Sequence, residues 1–426
     1  MRRINPCALQ RRILIGVGGG ISAYKVCEVV STLAKLGAEV RIVVTDSAQQ
    51  FITPLTLATL SRHRAYSDRD FWEPTHGRPL HIQLGEWAEL FVIAPLTANT
   101  LAKLAAGMAD NLLTNTVLAS TCPLLLVPAM NREMWKQRAV QRNWQQILSD
   151  RRVHSITPVA GVLACDLPEA TDSKEMSAFG AGRMAEPEHI VAHINSLLHT
   201  NGKRDLATKQ VLVSAGGTRE HIDPVRFIGN PATGKMGIAI AQAAVHRGAQ
   251  VTLVHGPMDV EAVSCLPEVK LVGVTDAGQM HEALSDAFPT ADITIMAAAV
   301  ADVRPAVSHP EKLPKRSLPD KLELEPVPDI ISELAGRKRA NQQLIGFAAQ
   351  TGEILHPAEE KLRRKNLDAI VANPIDKPDA GFGSDTNQAI LLDSTGRKLD
   401  IVGCSKLQLA HYLLDFIQDS PERGWA

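Results

Sequence analysis

The sequence has almost no net charge, and its few cysteines follow no recognisable pattern. The 45 basic and 46 acidic side chains leave a formal net charge of −1 over 426 residues, so no global field would draw the chain to nucleic acid or to an anionic membrane. The six cysteines form neither a CxxC pair nor a zinc-ligand spacing, which argues against a disulfide scaffold and a structural zinc. A reducing, cytoplasmic setting fits this cysteine usage best.

The sequence also has no convincing membrane or targeting segment. Residues 13–23 form an apolar stretch behind several arginines, but four glycines interrupt it and no small-residue cleavage site follows. This favours a strand entering a glycine loop over a signal peptide. Residues 112–130 are the longest uncharged run, where Pro123 and Pro128 favour a helix end, a turn and a strand. We therefore expect no membrane partner.

One pattern occurs twice in the chain. Residues 11–45 and 209–256 both contain a strand, a glycine loop, a helix, a Gly-Ala pair and a second strand, which predicts two α/β units in tandem. The polar residues 196–208 predict a connection, so the expected domains are 1–195 and 209–426. Apolar strands alternating with helices predict two Rossmann-like three-layer α/β domains with mainly parallel sheets.

Apolar runs predict the positions of most strands. In the first domain strands are expected at 12–16, 40–45, 90–95, 124–128 and 153–157. In the second domain they are expected at 210–214, 251–255, 269–273, 293–297, 343–347 and 369–372, with a hairpin of 388–392 and 398–402. Helices are expected there at 236–247, 277–287 and 358–366. The proline-rich residues 304–328 are too irregular for a core element and favour a functional flap.

Neither glycine loop carries a common nucleotide fingerprint. Residues 16–20 lie between a strand and a helix, where backbone N–H groups can hold a phosphate, but Ile21 stands where the third glycine of GxGxxG belongs. Residues 215–219 also depart from that pattern, and the P-loop pattern GxxxxGK[ST] does not occur. A phosphate loop and a tight strand-to-helix turn are equally good interpretations of 16–20. The broken patterns count against a two-domain nicotinamide oxidoreductase.

Ordered motifs in both halves resemble known families. HIQLGEW from His81, APLTANT from Ala94, PAMN from Pro128 and GAGRM after Cys165 are similar to motifs of the flavin-dependent cysteine decarboxylases. In the second half, GGTREHIDPVRFIGNPATGKMG, AAAVADVRP, EKLPK, PDI, GFAAQT and KLRRKNLDAIVAN resemble phosphopantothenoylcysteine synthetase. Their order, over about residues 11–414, resembles that of the bacterial bifunctional coenzyme A biosynthesis proteins.

The resemblance implies a flavodoxin-like flavoprotein domain followed by a ligase domain. The ligase domain would use CTP, with Mg²⁺, to couple 4'-phosphopantothenate to L-cysteine through an acyl-cytidylate. The first domain would use bound FMN to decarboxylate the product to 4'-phosphopantetheine. FMN would oxidise the thiol, so that the electrons of the departing carboxylate have a sink. In the family the flavin site lies at a trimer contact, which implies a homo-oligomer, with dimeric contacts between ligase domains.

Three residues match the decarboxylase chemistry. His81 matches the family's active-site histidine, Asn131 the amide that hydrogen-bonds the substrate carboxylate, and Cys165 the thiol that donates a proton. From the residues alone, His81 is also compatible with a structural role, and His76 is a rival to it. Asn131 is equally typical of a helix N-cap, and a lone cysteine such as Cys165 is usually a buried apolar residue.

The segment after Cys165 departs from the family pattern. Asp166 stands where the family has glycine, and fourteen residues, 166–179, separate Cys165 from Gly180, where the family connection is much shorter. A regulatory flavoprotein domain with impaired decarboxylase activity, fused to an active ligase, therefore stays open. The FMN contacts that the resemblance implies are Gly19, Gly20, Ile21, Thr45, Phe51, Thr97, Ala98, Asn99 and Thr100.

The resemblance also implies the residues of the ligase site. Asn230 matches the asparagine that acts on the acyl-cytidylate, and Lys312 matches a flap lysine that contacts CTP. Lys361 and Lys365, four apart on a predicted helix, match two further CTP-binding lysines, although a solvated basic face is the more ordinary interpretation of such a run. The remaining implied CTP-binding positions are Ala298, Ala299, Asp302, Pro328, Asp329, Ile330, Ile331 and Phe347. The sequence identifies no metal ligands.

Overall fold

The computed structural model divides the chain into two compact units, with the boundary between Lys203 and Arg204. It describes residues 8–73, 77–158, 182–258, 266, 268–317, 320–376, 383–384 and 386–419. Each unit has its own sheet and its own core.

The first unit is built on a six-stranded parallel sheet. Its strands are β1 Arg12–Val17, β2 Glu39–Val44, β3 Ala65–Tyr66, β4 Leu90–Leu96, β5 Leu124–Pro128 and β6 Val153–Ser155. They pair in the order β3-β2-β1-β4-β5-β6. Five of them lie where the apolar runs predict strands. The two-residue β3 was not predicted, because a strand so short has no measurable alternation.

Helices cover both faces of this sheet. They are α1 Ala23–Lys35, α2 Pro54–Ser61, α3 Asp68–Phe71, α4 Leu80–Trp87, α5 Ala98–Ala105, α6 Leu112–Ala119, α7 Arg132–Lys136, α8 Arg138–Leu148 and α9 Pro187–Thr200. Successive side chains of β1 enter different cores: Ile13 and Ile15 pack with α1 and α9, whereas Leu14 packs with α4, α5 and α6. Helix α9 extends into the range expected to form the connection, and its Leu197 and Leu198 are buried.

The second unit contains an eight-stranded mixed sheet. Its strands are β7 Gln210–Ala215, β10 Gln250–His255, β11 Val269–Gly273, β12 Ile293–Met296, β15 Gln343–Gln350, β16 Ala369–Pro374, β17 Thr386–Asp393 and β18 Lys398–Ser405. The order is β11-β10-β7-β12-β15-β16-β17-β18, in which β16, β17 and β18 pair antiparallel and the other pairs are parallel. Three-layer α/β architecture with mainly parallel sheets is thus confirmed, and β17 and β18 form the expected hairpin.

The helices of the second unit divide between the two faces of the sheet. They are α10 Lys235–His246, α11 Ala277–Ala287, α12 Ile330–Arg337, α13 Leu355–Arg364 and α14 Lys406–Gln418. The core on one face contains residues of α10 and α14, and the core on the other face contains residues of α11, α12 and α13. Side chains from both faces can therefore reach the same edge of the sheet.

The proline-rich segment 304–328 is more ordered than its composition indicates. Its two ends form an antiparallel ribbon, β13 Val303–Pro305 with β14 Leu324–Pro326. A second small ribbon joins β8 Arg219–His221 to β9 Phe227–Gly229. Neither ribbon was predicted, because two or three paired residues on each side give no periodic signal.

A buried arginine joins three parts of the second unit. Arg247, 2% exposed, follows α10, and its Nε donates to Asp205 Oδ1 at 2.8 Å. Its Nη1 donates to Asp415 Oδ1 at 2.7 Å and to the carbonyl oxygen of His411 at 3.3 Å, both in α14. The start of the unit is thereby tied to the first and last of its helices.

Replacing this arginine should destabilise the second unit. Arg247→Met removes the cation and leaves two carboxylates without their partner, so we expect the free energy of unfolding to fall by about 3 kcal/mol in urea titrations. Arg363→Met is the matched control, because Arg363 is 80% exposed and pairs only loosely, at 3.8 Å, with Glu359. A change below about 0.5 kcal/mol is expected for the control. Equal effects of the two substitutions would contradict the assigned role.

Candidate active sites

The glycine loop of the first unit follows β1 at the carboxyl edge of the sheet. A Cβ atom on Gly19 would lie 2.4 Å from Ser47 Oγ, so only glycine allows the loop to pass this close to the segment after β2. Gly20 faces more open space, since its nearest neighbours are Thr97 Cγ2 at 3.9 Å and Pro95 Cγ at 4.0 Å. The backbone at Gly20 is therefore accessible to a ligand beside Thr97.

Two further predicted FMN segments border this loop. Thr45 directly follows β2, and its hydroxyl donates to the carbonyl oxygen of Val17 at 3.1 Å, which ties the two strand ends together. Thr97 caps α5 by accepting a hydrogen bond from the N–H of Thr100 at 3.3 Å. Ile21 and Phe51 are 59% and 48% exposed, so apolar surface flanks this predominantly polar cradle.

Asn131 lies at the carboxyl edge of β5 and caps α7. Its side-chain oxygen accepts a hydrogen bond from the N–H of Glu133 at 2.8 Å, and the residue is exposed. The N–H of Met130 donates to the carbonyl oxygen of Gly182 at 3.0 Å, so the chain beyond residue 181 returns beside Asn131. Cys165, His76 and Gly180 lie outside the described residues.

His81 is the second residue of α4, and its ring contacts an aromatic side chain. Its ring meets the Phe71 ring edge-on, with centroids 5.4 Å apart. Within the described residues its Nδ1 is buried and has no hydrogen-bond partner, and no hydrogen bond joins His81 to Asn131 or to the glycine loop. A buried ring nitrogen without a partner calls for a hydrogen bond from outside the described residues, such as one to water, to a ligand or to another molecule.

The second unit contains a cavity of about 680 Å³ at the carboxyl edge of its sheet. The structure brings together here every predicted ligase residue except Lys312. Those lining the cavity are Asn230, Ala298, Ala299, Asp302, Pro328, Asp329, Ile330, Ile331, Phe347, Lys361 and Lys365. They come from loops after β9, β12 and β14, from β15 and α12, and from α13 and its C-cap, so the tertiary fold unites residues that are far apart in sequence.

Asn230 is held against the loop that follows β12. Its side-chain amide donates to the carbonyl oxygens of Ala299 at 3.3 Å and Val300 at 3.1 Å. The N–H of Ala299 in turn donates to the carbonyl oxygen of Gly216 at 2.8 Å. The predicted catalytic amide and the predicted small residues therefore form one connected surface.

The two predicted lysines differ in their surroundings. Lys361 Nζ donates to the carbonyl oxygen of Phe347 at 2.9 Å, and burial together with the charge of Lys365 lowers the pKa of Lys361. Lys365 Nζ pairs with Asp329, which also caps α12 by accepting from the N–H of Ser332. Burial raises the pKa of Asp329, but the hydrogen bonds from Lys365 and Ser332 outweigh it and hold that pKa below its usual value.

Lys312 is exposed and does not line the cavity. Its neighbour Leu313 is fixed instead to a turn: the Leu313 N–H donates to Asp223 Oδ2 at 3.3 Å, and its carbonyl oxygen accepts from Arg226 at 3.0 Å. Asp223 also accepts from the N–H groups of Val225 and Arg226. The structure therefore ties the segment of Lys312 to the loop before β9.

The cavity includes residues that sequence reasoning did not single out. They are Gly234, Lys235, Arg364, Asn373, Asn387 and Lys406, together with their neighbours. Lys235 lies inside a quoted motif, but the sequence gives no sign that Lys406, some 170 residues later, shares its site. Among the described residues no group of three or more His, Cys, Asp or Glu side chains could hold a metal ion. In the same part of the chain, no helix is long and apolar enough to cross a membrane.

Two family models match the chain. Residues 2–199 match the flavoprotein family, and residues 206–420 match the C-terminal domain of the DNA/pantothenate metabolism flavoprotein. The crystal structure of the C-terminal domain of a coenzyme A biosynthesis bifunctional protein CoaBC is 37% identical and covers 50% of this chain and 95% of its own, with a TM-score of 0.42.

Curated relatives match across both units. The coenzyme A biosynthesis bifunctional protein CoaBC of Bacillus subtilis (strain 168) is 41% identical over 407 residues, covering 96% of each chain. Its namesake in Escherichia coli (strain K12) is 39% identical, covering 91% of this chain and 92% of its own. A cysteine/cysteine sulfinic acid decarboxylase from an unknown prokaryotic organism is 43% identical, covering 81% of this chain and 92% of its own. The resemblance noted in the sequence is confirmed, and the chain belongs to the family of bifunctional coenzyme A biosynthesis proteins.

Proposed function

We propose that this chain catalyses two successive steps of coenzyme A biosynthesis, a CTP-dependent ligation followed by an FMN-dependent decarboxylation. Residues 209–426 would couple 4'-phosphopantothenate to L-cysteine, and residues 1–195 would convert the product to 4'-phosphopantetheine. The observation that carries the ligase assignment is the single cavity that gathers eleven of the twelve predicted ligase residues. The regulatory alternative is not supported, since relatives matching both units bear the names of bifunctional enzymes.

In the ligase site the protein must concentrate positive charge and orient a carboxylate. Lys361 and Lys365 bind CTP phosphates, and Asp329 holds Lys365 in position before the nucleotide arrives. The carboxylate of 4'-phosphopantothenate, beside Ala298 and Ala299, then attacks the α-phosphate. A new C–O–P bond forms and pyrophosphate leaves with the electrons of the broken P–O bond.

The second half of the ligation needs a group that orients the mixed anhydride. The amide of Asn230 already contacts the Ala299 and Val300 carbonyls, so it borders the place where the acyl group would lie. The cysteine amine attacks the acyl carbon, CMP departs, and the amine loses one proton. Mg²⁺ would be held chiefly by CTP phosphate oxygens, because no cluster of three protein ligands occurs among the described residues.

In the decarboxylase site the fit to FMN rests on the cradle at Gly20. The accessible backbone beside Thr97, which caps α5, suits a phosphate. The flanking apolar side chains of Ile21 and Phe51 suit a flat ring. When bound, FMN supplies two-electron oxidation and re-reduction of the substrate. Asn131 binds the carboxylate of phosphopantothenoylcysteine without protonating it, and the Cys165 thiol donates the proton that replaces CO₂.

An oligomer would complete the first site. The Nδ1 of His81 has no hydrogen-bond partner among the described residues, and Leu55, Trp72 and Leu118 have exposed side chains; both observations support contacts with further copies of the chain. We infer trimeric contacts through the decarboxylase residues, so that His81 of one copy serves the flavin of another. The exposed Val225 and Phe227 support dimeric contacts of the ligase.

One reaction mixture is enough to test the ligase and the decarboxylase activities separately. Purified protein with 4'-phosphopantothenate, CTP, Mg²⁺ and cysteine should release pyrophosphate first and CO₂ afterwards, and should show a flavin absorbance spectrum. Omitting 4'-phosphopantothenate should abolish both. CO₂ from cysteine alone would point to a cysteine decarboxylase, and pyrophosphate without CO₂ would refute the decarboxylase assignment.

Asn131→Asp tests the carboxylate contact without disturbing the helix. Aspartate keeps the oxygen that accepts from the Glu133 N–H, but it loses the amide donor and repels the substrate carboxylate. We expect CO₂ release to slow at least ~100-fold, with pyrophosphate release and flavin absorbance unchanged. Gln137→Glu adds the same charge at the other end of α7 and should have no effect. Comparable rates for the two variants would remove Asn131 from the site.

The ligase should lose affinity for CTP as the pH rises. A lysine binds phosphate only below its pKa, and burial lowers the pKa of Lys361, so kcat/KM for CTP should fall at a lower pH than an ordinary lysine would give. Lys361→Arg keeps its charge over this range and should abolish that decline. Initial rates measured from neutral to alkaline pH give the profile of the unmodified chain and that of Lys361→Arg. Identical profiles would contradict the role of Lys361.

A further inference from the structure

The loop after β12 carries three of the predicted ligase residues. Strand β12 ends at Met296, and Ala298, Ala299 and Asp302 follow it and line the cavity. Backbone N–H and C=O groups beyond the end of a strand need other partners before they can hold a fixed geometry. The contacts of this loop therefore decide how precisely its residues are placed.

Two buried hydroxyl groups bind N–H groups of the loop. The Ser214 hydroxyl accepts a hydrogen bond from the N–H of Ala298 at 3.1 Å, and the Thr218 hydroxyl accepts one from the N–H of Ala301 at 3.0 Å. Ser214 and Thr218 are 0% and 1% exposed, so bulk water does not compete with either hydroxyl. Loss of the Thr218 hydroxyl would leave the buried N–H of Ala301 unsatisfied.

One peptide group connects Thr218 to Asn230. Its N–H belongs to Ala301 and donates to Thr218, and its carbonyl oxygen belongs to Val300 and accepts from Asn230 Nδ2 at 3.1 Å. Because a peptide group is planar, the two hydrogen bonds are made by one rigid unit. The orientation of the Asn230 side chain therefore depends on the hydroxyl of Thr218.

Asn230 needs such contacts because its surroundings give it little other support. The residue is exposed and directly follows β9, a strand of three residues that pairs with β8. An exposed asparagine can adopt several rotamers unless hydrogen bonds select one. A misplacement of about 1 Å can cost a factor of about 100 in rate, so a group that selects this rotamer bears directly on kcat.

We propose that Thr218 is a positioning residue of the ligase, which fixes the amide of Asn230 through the peptide group between Val300 and Ala301. The inference rests on the proposed function, in which Asn230 orients the mixed anhydride for attack by cysteine. Loss of the Thr218 hydroxyl should therefore slow the second half of the ligation. The first half should be spared, since the lysines assigned to the CTP phosphates belong to α13 and its C-cap.

Thr218→Val tests the hydroxyl, because valine keeps the branched shape but cannot accept a hydrogen bond. We expect kcat for ligation to fall at least ~10-fold and KM for CTP to change less than about twofold. The first-turnover burst of pyrophosphate should remain, and the acyl-cytidylate should accumulate in acid-quenched samples. Thr218→Ser keeps the acceptor and should recover most of the rate.

Thr294→Val is the matched control. Thr294 is also 1% exposed and lies in β12 itself, but it accepts no hydrogen bond from the loop among the described residues. Its kcat should match that of the unmodified chain. Thr218→Cys supplies a second measurement in case the valine variant does not fold, since sulfur is a weak acceptor. This variant should turn over more slowly than Thr218→Ser and should also accumulate the acyl-cytidylate.

The double variant Thr218→Val with Asn230→Ala decides whether Thr218 acts through Asn230. If it does, the double variant should be no slower than Asn230→Ala alone, because no amide is left to position. Rate losses that multiply would overturn the proposal, as would equal losses in Thr218→Val and Thr294→Val, or a Thr218→Cys variant as fast as the unmodified chain.

Failure of the proposed function has a different signature. If the unmodified chain releases no CTP-dependent pyrophosphate, the ligase function itself is refuted, whatever the variants do. Release of CO₂ from preformed phosphopantothenoylcysteine should match the unmodified chain in every variant, because the decarboxylase residues belong to the other unit.

Discussion

Parallel pairing of buried strands places most of the predicted site residues that the structure describes at one edge of each sheet. Because the carboxyl ends of parallel strands lie side by side, loops that are distant in sequence converge there. The register of β7 with β12 brings Gly216 to the N–H of Ala299, and Asn230 then reaches the same loop. In the first unit the register of β1 with β2 similarly joins Val17 to Thr45. Without these registers the motifs would remain separate segments.

The composition of the chain is neutral, but among the described residues that line the cavity of the second unit basic side chains outnumber acidic ones. Helices from both faces of the second sheet end or begin at the cavity, and α10, α13 and α14 each contribute lysine or arginine to its lining. The pair of Asp329 and Lys365 shows how one acid can position a cation at the cavity. A small phosphorylated ligand needs only such a local field, whereas a polymer would need a charged surface.

Several site residues have structural tasks as well. Asn131 caps α7, Thr97 caps α5 and Asp329 caps α12, each with a side-chain oxygen that satisfies a helix N–H. Capping fixes the rotamer of the side chain at the edge of the sheet, where it can also meet a ligand. The structural and the functional interpretations of these residues are therefore compatible, because the same geometry serves both.

The sequence by itself determined the two α/β units, nearly all their long strands and the family, since long apolar runs and ordered motifs are local signals. It did not reveal the ribbon at the ends of 304–328, the two-residue β3 or the range of α9, because such pairs and boundaries depend on packing partners. It also could not indicate that Lys406 joins Lys235 or that the neighbour of Lys312 is tied to Asp223. Only the tertiary structure decided these, because strand order and helix placement, not sequence spacing, set which side chains meet.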